Sequence, residues 1–439
     1  MMEKQADFDV VVVGAGVLGV TISYWLSSLY ECRIALLDTA QVAAAHTSTR
    51  NTGVIHRPFY LDPVKKRIFA RTSLISLSMW ESLAKREGLP WRPVGTFNVA
   101  AEEWEVKTLE RYRRWGVENG MEENELDLLG GREAKGLEPE VNCRAALVSK
   151  TDVSVDFGTF TRYLWKCLAS QGVSFFGGHR VTKIEERNGS VNVVARSDSG
   201  LATLRSRFLI NAAGGGSLEI AHYCGLAEQY ASLNFRGEYW VVDEPFASRV
   251  ASNIYRPPKF PQYPFLDPHF VVRADGTRQI GPNAVLVPGP YVYSGIGLSK
   301  LAAFLDRPVV PKVSLLMNRD FVALVAGEWR SSLSKKAMCD RVRKFVPALN
   351  AGMLNRRAVF GVRSSVIDPS GFVPEAILLK GEASAHIINF NSPGATGAPA
   401  YSAMVVSQLR EEGRLGWLST KEAGPIIPGW DFGKVLAQF

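Results

Sequence analysis

Residues 8–38 constrain the fold more than any other stretch. The β-branched run Val10-Val11-Val12-Val13 reads as a buried strand, and Gly14-Ala15-Gly16-Val17-Leu18-Gly19 follows without a gap. Residues 20–29 then read as a helix and 33–37 as a second strand ending on Asp38. This is a βαβ unit with a G-x-G-x-x-G turn. Gly14 permits the tight turn, Gly16 lets a pyrophosphate approach the backbone, and Gly19 lets helix and strand pack closely. The helix N-terminus offers N–H groups and partial positive charge to the pyrophosphate. A carboxylate at Asp38 accepts hydrogen bonds from ribose hydroxyls and repels a 2′-phosphate. A lone G-x-G-x-x-G also occurs in other α/β turns; strand, helix and acid in register make this one a dinucleotide site.

The 439 residues leave room for two or three domains, and 46% hydrophobic with 21% charged residues excludes a disordered chain. No run of about eighteen uncharged apolar residues occurs, so no transmembrane helix is expected. The polar residues 1–7 run straight into the first strand, a pattern that predicts a cytoplasmic protein without a signal peptide. Cys32, Cys143, Cys167, Cys224 and Cys339 are scattered and read as reduced thiols, and the six histidines have no metal-ligand spacing; no metal is expected. The formal charge of +8 favours an anionic substrate or, peripherally, an acidic membrane surface; a solvated basic face is the plain alternative. No nucleic-acid motif is present.

Elsewhere, the polar loop His46-Thr47-Ser48-Thr49-Arg50-Asn51-Thr52-Gly53 suits the wrapping of a diphosphate or ribityl chain. Helices are expected at 63–87, 102–119, 157–171, 301–305, 312–326 and 334–345. Strands are expected at 94–100, 235–242, 269–273, 278–282, 357–362 and 386–390. The strand 207–211 runs into Ala212-Ala213-Gly214-Gly215-Gly216, small residues that let backbone pass close to a dinucleotide. Asn391-Ser392-Pro393-Gly394-Ala395-Thr396-Gly397 opens a last helix, a second N-terminus that can face an anion or an electron-rich ring. The expected fold class is α/β (α+β). A discontinuous Rossmann-like dinucleotide domain (1–90, 150–232, 350–425) carries an antiparallel-sheet substrate domain flanked by helices (91–149, 233–349), with a tail at 426–439. This discontinuity argues for a flavin over a nicotinamide.

Several stretches together are more specific: Asn51-Thr52-Gly53-Val54-Ile55-His56, Phe235-Arg236-Gly237-Glu238-Tyr239, Arg273-Ala274-Asp275-Gly276, Gly281-Pro282-Asn283-Ala284-Val285, Gly361-Val362-Arg363 and Ser392-Pro393-Gly394-Ala395-Thr396. On these, residues 8–412 resemble the FAD-dependent oxidoreductases of the D-amino acid oxidase and glycine oxidase superfamily, most of all its L-2-hydroxyglutarate dehydrogenase/oxidase group. Arg57-Pro58 after the histidine and Arg50 in the loop depart from that group's pattern, which leaves a shorter acid such as L-malate open.

The resemblance implies FAD, bound non-covalently because no cysteine stands at a flavin-attachment position. It implies contacts from Gly14, Gly16, Leu18, Gly19, Asp38, Thr39, Thr47, Asn51, Val54, Val181, Ala212, Gly214, Gly361, Gly394, Ala395 and Thr396. It implies hydride transfer from an L-2-hydroxy acid to flavin N5, best L-2-hydroxyglutarate to 2-oxoglutarate, with a histidine taking the hydroxyl proton. Taken alone His56 reads as a core histidine; with the resemblance it becomes the first candidate base and His269 the second. His269, Val271 and Arg273 share one strand face. A carboxylate calls for forked cationic donors: Arg236 and Arg363, then Arg57 and Arg273, each of which also reads as a structural salt-bridge residue. Tyr239, Tyr255 and Asn283 are candidate hydrogen-bond donors to substrate. The partners implied are a small carboxylate and an electron acceptor: quinone, an electron-transfer protein or oxygen. The alternatives are oxidation of an amine such as glycine, sarcosine or proline, and a flavin-binding module without turnover.

Overall fold

The computed structural model describes residues 7–265, 267–295, 297, 308–421 and 424–439. The expected βαβ unit forms: β1 (Phe8–Val13), α1 (Val17–Leu29) and β2 (Ile34–Leu37). In β1, Val10, Val11 and Val12 are fully buried, as a strand covered on both faces requires. Strand order in the parallel part of this sheet is Ser174–Phe176, β2, β1, Gly200–Asn211, Ser384–Ile388. Val13 pairs with both Leu37 and Asn211, so the carboxyl ends of three strands lie side by side, where α/β sheets open their ligand crevice. Helix α1 is buried nearly all round, between Phe157–Ser170 and Gly394–Glu411. The strand Gly200–Asn211 also pairs antiparallel with Ser190–Ser197 in a hairpin.

The helix α2 (Arg67–Glu87) leads into an eight-stranded, largely antiparallel sheet. A four-stranded sheet lies beside it, built from Ala231–Gly237, Val285–Val287, Gly361–Asp368 and Gly371–Phe372. Three expected strands differ here. Residues 235–242 are two strands: Ala231–Gly237 in the small sheet and Trp240–Val242 in the large one. Residues 357–362 divide into Leu354–Arg357 in the large sheet and Gly361–Asp368 in the small one. Residues 278–282 end as the strand Arg278–Gly281, and Val285–Val287 resumes in the small sheet. The chain thus crosses between sheets three times at one level, and Ala358 N–H donates to the Tyr239 carbonyl at 2.9 Å across two of the crossings. Extended crossing residues keep a strand's alternation, so periodicity hides the break.

The expected helix 312–326 is also two, Val310–Leu316 and Arg319–Leu333. Asn318 interrupts it, its Oδ1 accepting from Asp320 N–H and Phe321 N–H as an N-cap. The expected helix 301–305 lies outside the described residues. Residues 426–439 are no loose tail: Ile427 and Trp430 are fully buried, and Trp430 Nε1 donates to the Met79 carbonyl at 2.9 Å. No helix among the described residues is long and apolar enough to cross a membrane.

Candidate active site

The crevice at the strand ends encloses about 310 Å³ and runs from Asp38 past the glycine turn to a chamber walled by His56, His269 and Arg363. Gly14 sits at φ +106°, and a Cβ there would come 2.4 Å from the Ala212 carbonyl oxygen. The Asp38 carboxylate is fixed by Ala15 N–H (2.7 Å) and Ala40 N–H (2.8 Å) while still lining the crevice. Every position expected to hold the dinucleotide lines the crevice except Gly19, whose Cβ would come 1.8 Å from the Gly14 carbonyl oxygen; it is a packing glycine.

Two residues here carried no sequence signal of their own. Ser48 Oγ accepts the Val17 N–H at 2.9 Å and ties the polar loop to α1. Tyr291 lines the crevice and lies 4.7 Å, ring to ring, from His46, while His46 Nδ1 and Tyr293 Oη are 2.9 Å apart.

In the chamber, His56 is buried, with Nδ1 3.6 Å from Asp152 Oδ1. Asp152 is fully buried; Oδ1 accepts the Arg57 N–H at 3.1 Å and Oδ2 has no partner among the described residues. Asp152 was missed because a single acid between Thr151 and a strand has no motif; only the fold brings it to His56. The His269 ring stacks on Tyr255 at 4.0 Å. Its Nδ1 lies 3.1 Å from the Asp267 carbonyl oxygen, and this contact makes Nδ1 the donor and leaves Nε2 with no partner among the described residues. Burial holds His269 down to about 3, and the charges of His56 and Arg363 push the same way. His269 is therefore neutral at working pH. Burial pushes the Tyr255 and Tyr239 phenols up, so both remain hydrogen-bond donors. Tyr239 Oη lies 3.0 Å from Thr52 Oγ1, and Asn283 is held by Glu238, whose N–H it accepts at 2.9 Å.

The structure separates the arginines. Arg363 lines the chamber, donates to the Pro264 carbonyl, and has no carboxylate within salt-bridge range among the described residues. Burial pulls its guanidinium down, the cost of a cation held away from water. Arg236, expected at the substrate, is instead buried on Glu238 (2.8 Å) and on the Gly295 carbonyl (2.6 Å), outside the chamber lining. Arg57 is likewise withdrawn, bound by both oxygens of Glu125 at 2.8 and 2.9 Å. In each case an acid close by in the fold takes the guanidinium fork. Arg273 donates to the Asn51 and Thr52 carbonyls and props the loop.

The profile of the family described as FAD dependent oxidoreductase matches residues 9–409. The chain belongs to that family. It is 28% identical over 416 residues to a mitochondrial L-2-hydroxyglutarate dehydrogenase of Caenorhabditis briggsae, covering 91% of this chain and 93% of the relative. It is 26% identical over 408 residues to the L-2-hydroxyglutarate dehydrogenase of Escherichia coli K12, covering 92% and 93%. Among solved structures, the FAD-bound L-alpha-glycerophosphate oxidase of Mycoplasma pneumoniae superposes with a TM-score of 0.71 at 22% identity, covering 97% of both chains. The cofactor is FAD, and the crevice fits it. The glycine turn and α1 N-terminus suit the pyrophosphate and Asp38 the ribose, while Gly361 and the N-terminus of Gly394–Glu411 line the end next to the chamber.

Proposed function

We propose that this FAD-dependent oxidoreductase oxidises an L-2-hydroxy acid, best L-2-hydroxyglutarate to 2-oxoglutarate. Arg363 carries the proposal: a half-buried cation lining the chamber, with no carboxylate of its own among the described residues, is a receptor for one that arrives with the substrate. The curated relatives named for L-2-hydroxyglutarate, matched over nearly their whole length, support the same substrate. When bound, FAD supplies the hydride acceptor at N5. His56 takes the hydroxyl proton, and Asp152 counters the charge this creates on the imidazole. His269, held neutral, offers Nε2 as an acceptor that orients the hydroxyl. Tyr255 and Asn283 complete the chamber wall. Electrons then pass to an acceptor, for which quinone, an electron-transfer protein and oxygen are to be compared directly.

The test is anaerobic bleaching of the yellow holoenzyme by L-2-hydroxyglutarate, L-malate, L-proline and glycine in turn. Fast bleaching by L-2-hydroxyglutarate is expected. Bleaching by an amino acid and by neither hydroxy acid would overturn the assignment.

A further inference from the structure

His56 forms part of the wall of two cavities. One is the chamber; the other encloses about 20 Å³ and is lined in part by Thr96, Asn98, Tyr255 and Arg256. Three polar atoms of its lining residues have no partner among the described residues: Thr96 Oγ1, Asn98 Oδ1 and Tyr255 Oη. Their residues are only 2%, 6% and 4% exposed. Native interiors rarely leave such atoms unpaired. A buried water needs roughly 10–15 Å³ and two to four polar partners. The space and the three orphans meet both requirements.

An anion does not suit the same space. Arg256 is the one permanent cation among its described lining residues, and that charge is already spent: Nε donates to fully buried Glu105, and Nη2 to Glu102 at 3.0 Å. The Glu102 side chain is 62% exposed, so this ion-pair cluster reaches from the cavity wall to bulk solvent. The guest is therefore neutral, hydrogen-bonding and small.

We propose that ordered water in this cavity relays the proton from His56 to the surface along the Arg256–Glu102 rim. This rests on His56 being the base for hydroxy-acid oxidation. During turnover the substrate O–H bond breaks and an N–H bond forms on His56. That N–H then breaks as the water takes the proton and passes one outward, so the water is regenerated. Thr96 and Asn98 act through the water and are positioning residues.

The experiment is a single anaerobic turnover of the holoenzyme with L-2-hydroxyglutarate in weak buffer. Flavin bleaching and a pH indicator are followed together. In the wild type, proton appearance keeps step with bleaching. In Thr96→Val/Asn98→Leu, bleaching stays within about twofold of wild type while proton appearance lags it by at least tenfold. Protons released in step with bleaching in that variant overturn the relay. Thr96→Val alone, close to isosteric, gives a second readout without turnover. Its Tm falls if Oγ1 holds a water and rises if Oγ1 is unpartnered, and a rise overturns the proposal. A wild type that L-2-hydroxyglutarate does not bleach removes the substrate assignment itself. A His56→Ala variant that bleaches at the wild-type rate removes the base and the relay with it.

Discussion

Asp152→Asn tests whether a buried carboxylate drives proton abstraction by His56. Asp152 Oδ1 lies 3.6 Å from His56 Nδ1, and no part of its side chain reaches solvent. When His56 gains the substrate proton, an imidazolium faces that carboxylate. At an effective dielectric constant of about 20 the attraction is 332/(20 × 3.6), about 4.6 kcal/mol. The asparagine keeps an oxygen for the Arg57 N–H, so the loop stays in place, and its amide dipole restores part of the lost attraction. A net loss of about 2–4 kcal/mol remains, a fall of roughly 30- to 1000-fold in the rate of the reductive half-reaction. The assay is stopped-flow bleaching at saturating L-2-hydroxyglutarate, with FAD content checked from the visible spectrum. A rate within about threefold of wild type would refute the pairing and shift attention to His269 Nε2 as the base.

Two further outcomes are expected. Arg363→Met removes a charge-assisted hydrogen bond to the substrate carboxylate, about 1.5–3 kcal/mol, and should raise KM some 10- to 150-fold; an unchanged KM would show that the carboxylate docks elsewhere. Acid should destabilise the fold through its buried neutral histidines. Burial holds His386 down to about 4 and His269 to about 3. Against an unfolded value near 6.5, the unfolded chain binds more protons below that pH, so stability is complete above it and falls as pH drops toward 4. The two together cost about 4 kcal/mol at pH 5. Urea midpoints at pH 7.5 and pH 5 measure this, and a His386→Gln variant with an undiminished pH slope would contradict it.

The cofactor end of the molecule was legible because its chemistry is local. Three glycines, a helix start and an acid lie within one βαβ unit, so their spacing can be read directly along the chain. The substrate end was legible only as a set of residue types. His56, His269, Tyr239, Tyr255, Asn283 and Arg363 do meet in one chamber, although nothing in their spacing brings them together. Arg236 and Arg57 were misplaced because periodicity does not say which acid takes a guanidinium. Glu238, two residues from Arg236, shares its face by alternation, but alternation alone does not distinguish an arginine paired there from one facing substrate. Glu125 is 68 residues from Arg57. Asp152 is hidden for the same reason.

The three sheet crossings explain why the chamber stands where it does. Each crossing carries a glycine at a point of close approach. A Cβ at Gly237 would come 2.9 Å from Pro282 Cβ, at Gly281 2.5 Å from the Glu238 carbonyl oxygen, and at Gly361 1.8 Å from the Arg50 carbonyl oxygen. The first two lock the crossings against each other, and the third locks Gly361 against the polar loop of the dinucleotide site. Tyr239, Asn283 and Arg363 each lie two residues beyond one of these glycines, and all three line the chamber. Tyr239 and Asn283 lie on the crossings themselves and Arg363 near the start of the strand that follows one, so all three sit where the chain passes between the sheets. The glycine contacts therefore set the distance between the carboxylate receptor and the FAD crevice. Cofactor and substrate residues are positioned by the same backbone contacts, which is why a chamber drawn from segments so far apart in sequence opens directly onto the dinucleotide crevice.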